Sequence, residues 1–219
     1  MSILVVSPHL DDETLGAGGT LLRFKEEGKN IYWLNITNVK REYGYSDEII
    51  KRTYLQMNKV SKMYNFDKVY DLELCPARLE QYNSNEIIQK ISEIINEIRP
   101  DTIILPNKYD AHSDHKIVFE WCYSCTKVFR HPYINQILTM EVLSETDFGS
   151  ETNKFIPNYF IDISDYISKK LDILEIYKEE IGNHPFPRSL EGIEALAKIR
   201  GISAGKKYAE AFNMIKCIY

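Results

Sequence analysis

The stretch Ile3-Leu4-Val5-Val6-Ser7-Pro8-His9-Leu10-Asp11-Asp12-Glu13 decides the fold. Its first four residues are a continuous apolar run closed by Ser7-Pro8, the pattern of a central strand buried on both faces of a parallel sheet. Thr14 to Glu27 then reads as a helix, with Leu15, Leu21, Leu22 and Phe24 apolar, Gly16, Gly18 and Gly19 near its start and Gly28 as its stop. Strand, glycine-rich turn and helix make the first half of a βαβ unit. The polar residues between them fall at the C-terminal edge of the strand, where open α/β sheets bind ligands.

The alternation continues outward. Strands are expected near Ile31 to Ile36, Lys68 to Leu72, Thr102 to Leu105, Gln136 to Leu143 and Tyr159 to Ile163. Helices are expected over Glu48 to Tyr64, Asn85 to Glu97, His115 to Val128, Ser164 to Glu180 and Gly192 to Arg200. This pattern implies an α/β fold, a mostly parallel sheet flanked by helices, with a small C-terminal extension. With 219 residues and no long polar linker, the chain reads as a single domain over 1–219.

Composition removes several function classes. A hydrophobic content of 44% and a charged content of 27% are those of an ordinary globular chain, not of a disordered tail or a disulfide scaffold. The net charge of -5 supplies no positive field for a phosphate backbone, so no nucleic-acid partner is expected. No apolar run reaches the length of a bilayer span, and no basic segment with a cleavage site precedes Ile3, so neither membrane insertion nor export is expected. Four cysteines without a signal peptide suit reduced thiols and a cytoplasmic location.

Two clusters carry chemistry. His9 and Asp12 stand three apart in a tight turn and can face one point, offering an imidazole nitrogen and a carboxylate oxygen to a divalent transition metal. Asp11 lies between them and points elsewhere, which suits a general base taking a proton from metal-bound water. The second cluster, Asp110-Ala111-His112-Ser113-Asp114-His115, also follows an apolar strand and opens a helix. If His115 completes the set, His9, Asp12 and His115 give three protein ligands and an open position, the arrangement of catalytic zinc. His112 is then a spare imidazole that could hold an oxyanion or protonate a leaving nitrogen, with Asp114 orienting it and raising its pKa.

Pro8-His9-Leu10-Asp11-Asp12-Glu13, the following Leu15-Gly16-Ala17-Gly18-Gly19-Thr20, and Ala111-His112-Ser113-Asp114-His115 resemble the two signature motifs of the PIG-L/LmbE-like family of zinc-dependent N-acetyl-sugar deacetylases. The resemblance extends through Arg52, Asp162-Ile163-Ser164, Lys169-Lys170, Arg200-Gly201 and Tyr208-Ala209-Glu210-Ala211-Phe212, over essentially the whole chain. It implies a Rossmann-like sheet, zinc on His9, Asp12 and His115, Asp11 as base, His112 at the oxyanion supported by Asp114, and Arg52 as a polar contact to the sugar. Leu10 and Ser113 stand where the family usually has other turn residues, and Leu55 stands three after Arg52 where members often place an acid. The implied substrate is an N-acetylglucosamine-type glycoside, nucleotide-linked or lipid-linked, that yields acetate and a free amine. Iron, cobalt or manganese also suit a two-histidine, one-aspartate set. Homo-oligomeric assembly is compatible with the sequence but not encoded in it.

Other features read as structural. The glycine run lacks dinucleotide-loop spacing and suits close packing of helix on strand. Cys122 and Cys125 sit mid-helix, where packing outweighs reactivity, and His131 has no partner motif. His184 lies on a loop that could border the crevice. From Asn183 to Tyr219 six basic residues outnumber three acids, which could meet a phosphorylated sugar or form a solvated face. Two rivals remain: a metal-dependent hydrolase of another amide, ester or phosphoester, and a sugar-binding relative without activity.

Overall fold

The computed structural model describes residues 1–219. Seven strands form one sheet in the order β3-β2-β1-β4-β5-β7-β6. They are β1 (Ser2–Ser7), β2 (Asn30–Thr37), β3 (Lys68–Leu74), β4 (Thr102–Leu105), β5 (Gln136–Met140), β6 (Tyr159–Asp162) and β7 (Ala209–Cys217). β1 to β5 pair in parallel, and β7 runs antiparallel between β5 and β6. β1 is central and its Ile3, Leu4 and Val5 are fully buried, as a doubly covered strand requires. The Rossmann-like expectation holds: chain order reverses beside β1, and the gap between the ends of β1 and β4 is the switch point at which ligands enter such sheets.

Six helices cover the two faces: α1 (Asp12–Glu26), α2 (Asp47–Tyr64), α3 (Ser84–Ile98), α4 (Ser113–Ser124), α5 (Ile167–Leu174) and α6 (Leu190–Ala204). One core gathers Leu21, Trp33, Val60, Ile163, Ile173 and Phe212, placing α1, α2, α5 and α6 on that face. The other joins Ile87, Ile91 and Ile95 of α3 to Val118 and Trp121 of α4 beneath Leu4, Leu34 and Ile103. The isoleucines of α3 recur every four residues, which puts them on one stripe of the helix. No helix is long and apolar enough to cross a membrane.

Three departures from the sequence reading bear on function. The chain after Ala204 forms β7, inserted within the sheet, where no strand was expected. The helix expected from Ser164 to Glu180 is shorter: α5 ends at Leu174 and a single 3-10 turn, Glu175–Tyr177, redirects the chain toward the strand ends. α4 stops at Ser124 rather than continuing to Val128. The glycines of α1 do serve close packing, since a Cβ at Gly16 would stand 2.7 Å from Met140 and one at Gly19 2.7 Å from Ile163.

Cys122 is buried in α4 and Cys125 at its C-terminal cap; burial pushes the Cys122 thiol well up and that of Cys125 up to about 11, which makes both poor nucleophiles. His131 is buried, hydrogen-bonded to Ser92 at 3.1 Å and to Tyr133 at 2.8 Å, and structural.

Candidate metal and catalytic site

The two motifs meet at the switch point. β1 ends at Ser7, and the turn to α1 throws His9, Asp11 and Asp12 over the edge of the sheet; β4 ends at Leu105, and the loop to α4 delivers Asp110, His112, Asp114 and His115 beside them. The ring centroids of His9 and His112 are 4.6 Å apart, and those of His9 and His115 are 5.4 Å apart. Asp11 has φ 107°, a region that non-glycine residues rarely occupy, and this turns its side chain away from that of Asp12.

His9, Asp12 and His115 can present one ligand atom each, all within 4.8 Å of one another. One Asp12 carboxylate oxygen lies 3.4 Å from His9 Nδ1 and 3.3 Å from His115 Nε2. Tetrahedral ligands at ~2.0–2.1 Å from a shared centre stand about 3.3 Å from each other, so the spacing suits such a centre. His115 Nε2 is buried with no hydrogen-bond partner, an orphan that a cation would satisfy. A second grouping, His9 with His112 and Asp114, also converges, but there His9 offers the nitrogen already bonded to Asp114.

Each ligand histidine is held through its other nitrogen. His115 Nδ1 is 2.8 Å from Asp110 Oδ2, and His9 Nε2 is 3.0 Å from Asp114 Oδ2. A carboxylate behind an imidazole fixes ring orientation and raises ligand basicity. Asp110 is in turn held by Asn107 at 3.0 Å and Thr146 at 2.7 Å, while Asp114 accepts the Ala77 amide at 2.8 Å. Burial disfavours charge on His9, but Asp114 and Asp12 override it and push its pKa up to about 9. At His115 burial is likewise overridden, by Asp12 and Asp110, and the pKa is pushed up to about 10. Burial also works against the Asp12 charge, but His115 and His9 hold that carboxyl far below its usual range. The carboxylates therefore make a pocket that attracts positive charge to this point, which a divalent cation would supply.

Asp114 faces both His9 and His112, at unequal distances. Its carboxylate turns to His9, and its nearest oxygen is 3.9 Å from His112 Nδ1. Its backbone instead serves His112: the Asp114 amide donates to His112 Nδ1 at 3.0 Å, making His112 the N-terminal cap of α4. Burial and the neighbouring His9 charge lower the His112 pKa rather than raising it. A neutral ring whose Nδ1 accepts a hydrogen bond carries its proton on Nε2, ready to donate.

Asp11 is buried and its Oδ2 accepts from Arg188 Nη1 at 3.1 Å. Burial and the Asp12 charge push its pKa well up, against the pull of Arg188. Beneath it Glu13, fully buried, accepts the Asp11 amide at 3.2 Å, the Thr14 hydroxyl at 2.6 Å and the Tyr177 hydroxyl at 3.0 Å. Burial pushes Glu13 up to about 7. Asp110, Glu13 and Arg188 were not singled out from sequence. Asp110 stood inside a quoted motif, whereas Arg188 had only its place in the Pro185-Phe186-Pro187 loop to mark it.

The cluster opens into a cavity of about 470 Å³ whose wall includes Asn38, Tyr45, Arg52, Gln56, Glu145 and Tyr177. That is the size range of small-ligand sites. Arg52 lies on this wall, 3.6 Å from Glu179. His184 lines a separate surface depression with Glu175 and Asn183. Of the basic C-terminal residues, Arg188 reaches the cavity, while Lys198, Arg200 and Lys206 pair with Glu194, Glu141 and Asp162.

The chain is 23% identical over 230 residues to a diacetylchitobiose deacetylase of Thermococcus kodakarensis, covering 99% of this chain and 84% of the relative. Its fold matches a conserved protein of Thermus thermophilus at TM-score 0.79 and 22% identity, over 99% of this chain and 96% of that one. It also matches the 4-carboxy-2-hydroxymuconate hydratase of Pseudomonas putida at TM-score 0.77 and 13% identity, over 100% and 97%, so the fold by itself does not name the reaction. The family model described as PIG-L, GlcNAc-PI de-N-acetylase, matches residues 4–126, more than half of the chain and the part that holds both histidine motifs; the chain belongs to the PIG-L family.

Proposed function

We propose that this chain is a metal-dependent N-deacetylase that hydrolyses the acetamide of an N-acetylated sugar to acetate and a free amine. The observation that carries this reading is the set of His9, Asp12 and His115 closing on one point, with Asp11 and His112 beside it and outside the set. Membership of the PIG-L family and the sequence likeness to a diacetylchitobiose deacetylase support the same chemistry.

His9, Asp12 and His115 would hold the metal, for which two nitrogens and one carboxylate oxygen favour zinc. When bound, a divalent cation supplies Lewis acidity toward the amide carbonyl and toward water. The remaining work falls to side chains. Asp11, aimed by Arg188, takes the proton of the attacking water. His112 donates from Nε2 to the carbonyl oxygen as it gains negative charge. The C–N bond then breaks, and the proton held by Asp11 passes to the nitrogen. Arg52 contacts the sugar from the cavity wall.

We read residues 1–219 as one catalytic unit, because both motifs stand on one sheet edge. We place it in the cytoplasm, where the buried thiols of Cys75, Cys122 and Cys125 stay reduced. The test is metal analysis of the purified protein coupled to acetate release from N-acetylglucosamine derivatives, with and without a chelator. Chelator-sensitive acetate is expected; phosphate release or carbon–carbon double-bond hydration in place of acetate would sink the reading.

A further inference from the structure

The side chains of the cavity wall carry more negative than positive charge, and both of its cations face carboxylates. Five carboxylates line it, Asp11, Asp12, Glu145, Glu179 and Glu180, against two guanidinium groups and no lysine; a divalent cation on His9, Asp12 and His115 would offset Asp11 and Asp12, which leaves Glu145, Glu179 and Glu180 against the two guanidinium groups. Arg52 faces Glu179 at 3.6 Å, and Arg188 bridges Asp11 at 3.1 Å and Glu180 at 3.4 Å. Outside the cavity lining, Lys40 pairs with Glu73 at 2.9 Å and Arg41 pairs with Asp47. A phosphate is recognised by a free cationic fork or by bare amides at a helix start. The helix starts at this wall are already answered: the first turn of α2 carries Asp47 and Glu48 behind a Ser46 cap, that of α1 carries Asp12 and Glu13, and that of α4 carries Asp114 behind its His112 cap.

Sugar hydroxyls, by contrast, are donors, and Glu145, Glu179 and Glu180 are acceptors. The amine released by deacetylation gains a proton and with it the charge this wall favours. We infer that the cavity selects uncharged N-acetylhexosamines and their oligosaccharides against phosphorylated or nucleotide-linked ones, with Glu179 and Glu180 as the specificity-determining side chains. This rests on the deacetylase reading above. It also separates part of the local basic excess of the C-terminal segment from substrate recognition, since three of those six cations pair with carboxylates elsewhere.

The experiment measures kcat/KM for acetate release by the zinc-loaded full chain from four substrates: N-acetylglucosamine, N,N'-diacetylchitobiose, N-acetylglucosamine 1-phosphate and uridine diphosphate N-acetylglucosamine. The neutral pair is expected to exceed the anionic pair at least tenfold at low ionic strength, with the gap narrowing as salt rises. In the double variant Glu179→Gln, Glu180→Gln, which frees Arg52 and Arg188, the neutral-to-anionic ratio should fall about fivefold or more. General damage to the fold would show as a lowered thermal midpoint with both classes falling, so the ratio is read on a variant that keeps the parent midpoint. Anionic substrates turned over as well as neutral ones, or a ratio unmoved in the double variant, would overturn the inference while deacetylation stands. Acetate from none of the four would overturn the deacetylase reading and the inference with it.

Discussion

Asp114 Oδ2 lies 3.0 Å from His9 Nε2, so a carboxylate from the second histidine motif sets the ring of the first. The bond crosses from the β4 edge to the β1 edge and leaves His9 Nδ1 facing Asp12. Asp114→Ala should therefore weaken metal binding by about ten- to a hundredfold, the range for loss of such a partner. Competition with a chromophoric zinc chelator measures this; unchanged affinity would remove the orienting role.

Asp11→Asn separates chemistry from metal binding. The variant should keep its metal by elemental analysis and lose acetate release by about 10²-fold or more, since the amide cannot take a proton. Turnover near the parent level would reject Asp11 as base.

Arg188 aims Asp11 without belonging to the metal set. Arg188→Met should lower kcat more than it raises KM, and Arg188→Lys should restore only part of the loss, because one ammonium cannot span Asp11 and Glu180 as a guanidinium fork does. A pure KM effect would point to substrate binding instead.

Stability at the site depends on a buried ion pair on the far side of α1. Lys170 Nζ lies 2.6 Å from Glu210 Oε1 and 2.9 Å from the Leu15 carbonyl, and Glu210 also accepts the amides of Gly19 at 2.8 Å and Thr20 at 2.7 Å. Glu210→Ala leaves a buried ammonium without its counter-charge and takes the carboxylate from two amides, and should cost about 3–5 kcal/mol in urea unfolding. A loss below 1 kcal/mol would show that water enters to replace the carboxylate.

Gly19→Ala tests the close approach of α1 to the sheet. The added Cβ would meet Ile163 at 2.7 Å, and overpacking of this kind costs about 1–3 kcal/mol, visible as a lowered thermal midpoint. An unchanged midpoint would mean that Ile163 yields freely.

The sequence made β1 and β4 legible as unbroken apolar runs, and β2 and β3 legible by their place between helices that keep an apolar stripe. β7 was hidden by its own chemistry: Glu210, buried at the second position of the strand, breaks the apolar pattern, and its partner Lys170 lies 40 residues away. The 3-10 turn at Glu175–Tyr177 was hidden too, because what ends α5 is the need to bring Tyr177 to Glu13, a contact with no local signal. At the site, the motif residues announced themselves by standing at strand ends. Asp110 could have been found as the carboxylate five residues before His115. The Asp11–Arg188 contact spans 177 residues and nothing near either residue foretells it.

The place of β7 orders events on the ribosome. Residues 209–217 are synthesised after every other strand of the sheet, yet they lie between β5 and β6 and supply the carboxylate that caps the amides of Gly19 and Thr20. A nascent chain can assemble β1 to β5, but β6 has no neighbour until β7 emerges. The helix that begins with Asp12 thus waits for the C-terminal strand before it is clamped, and a chain cut short of residue 209 would leave β5 as an open, aggregation-prone sheet edge.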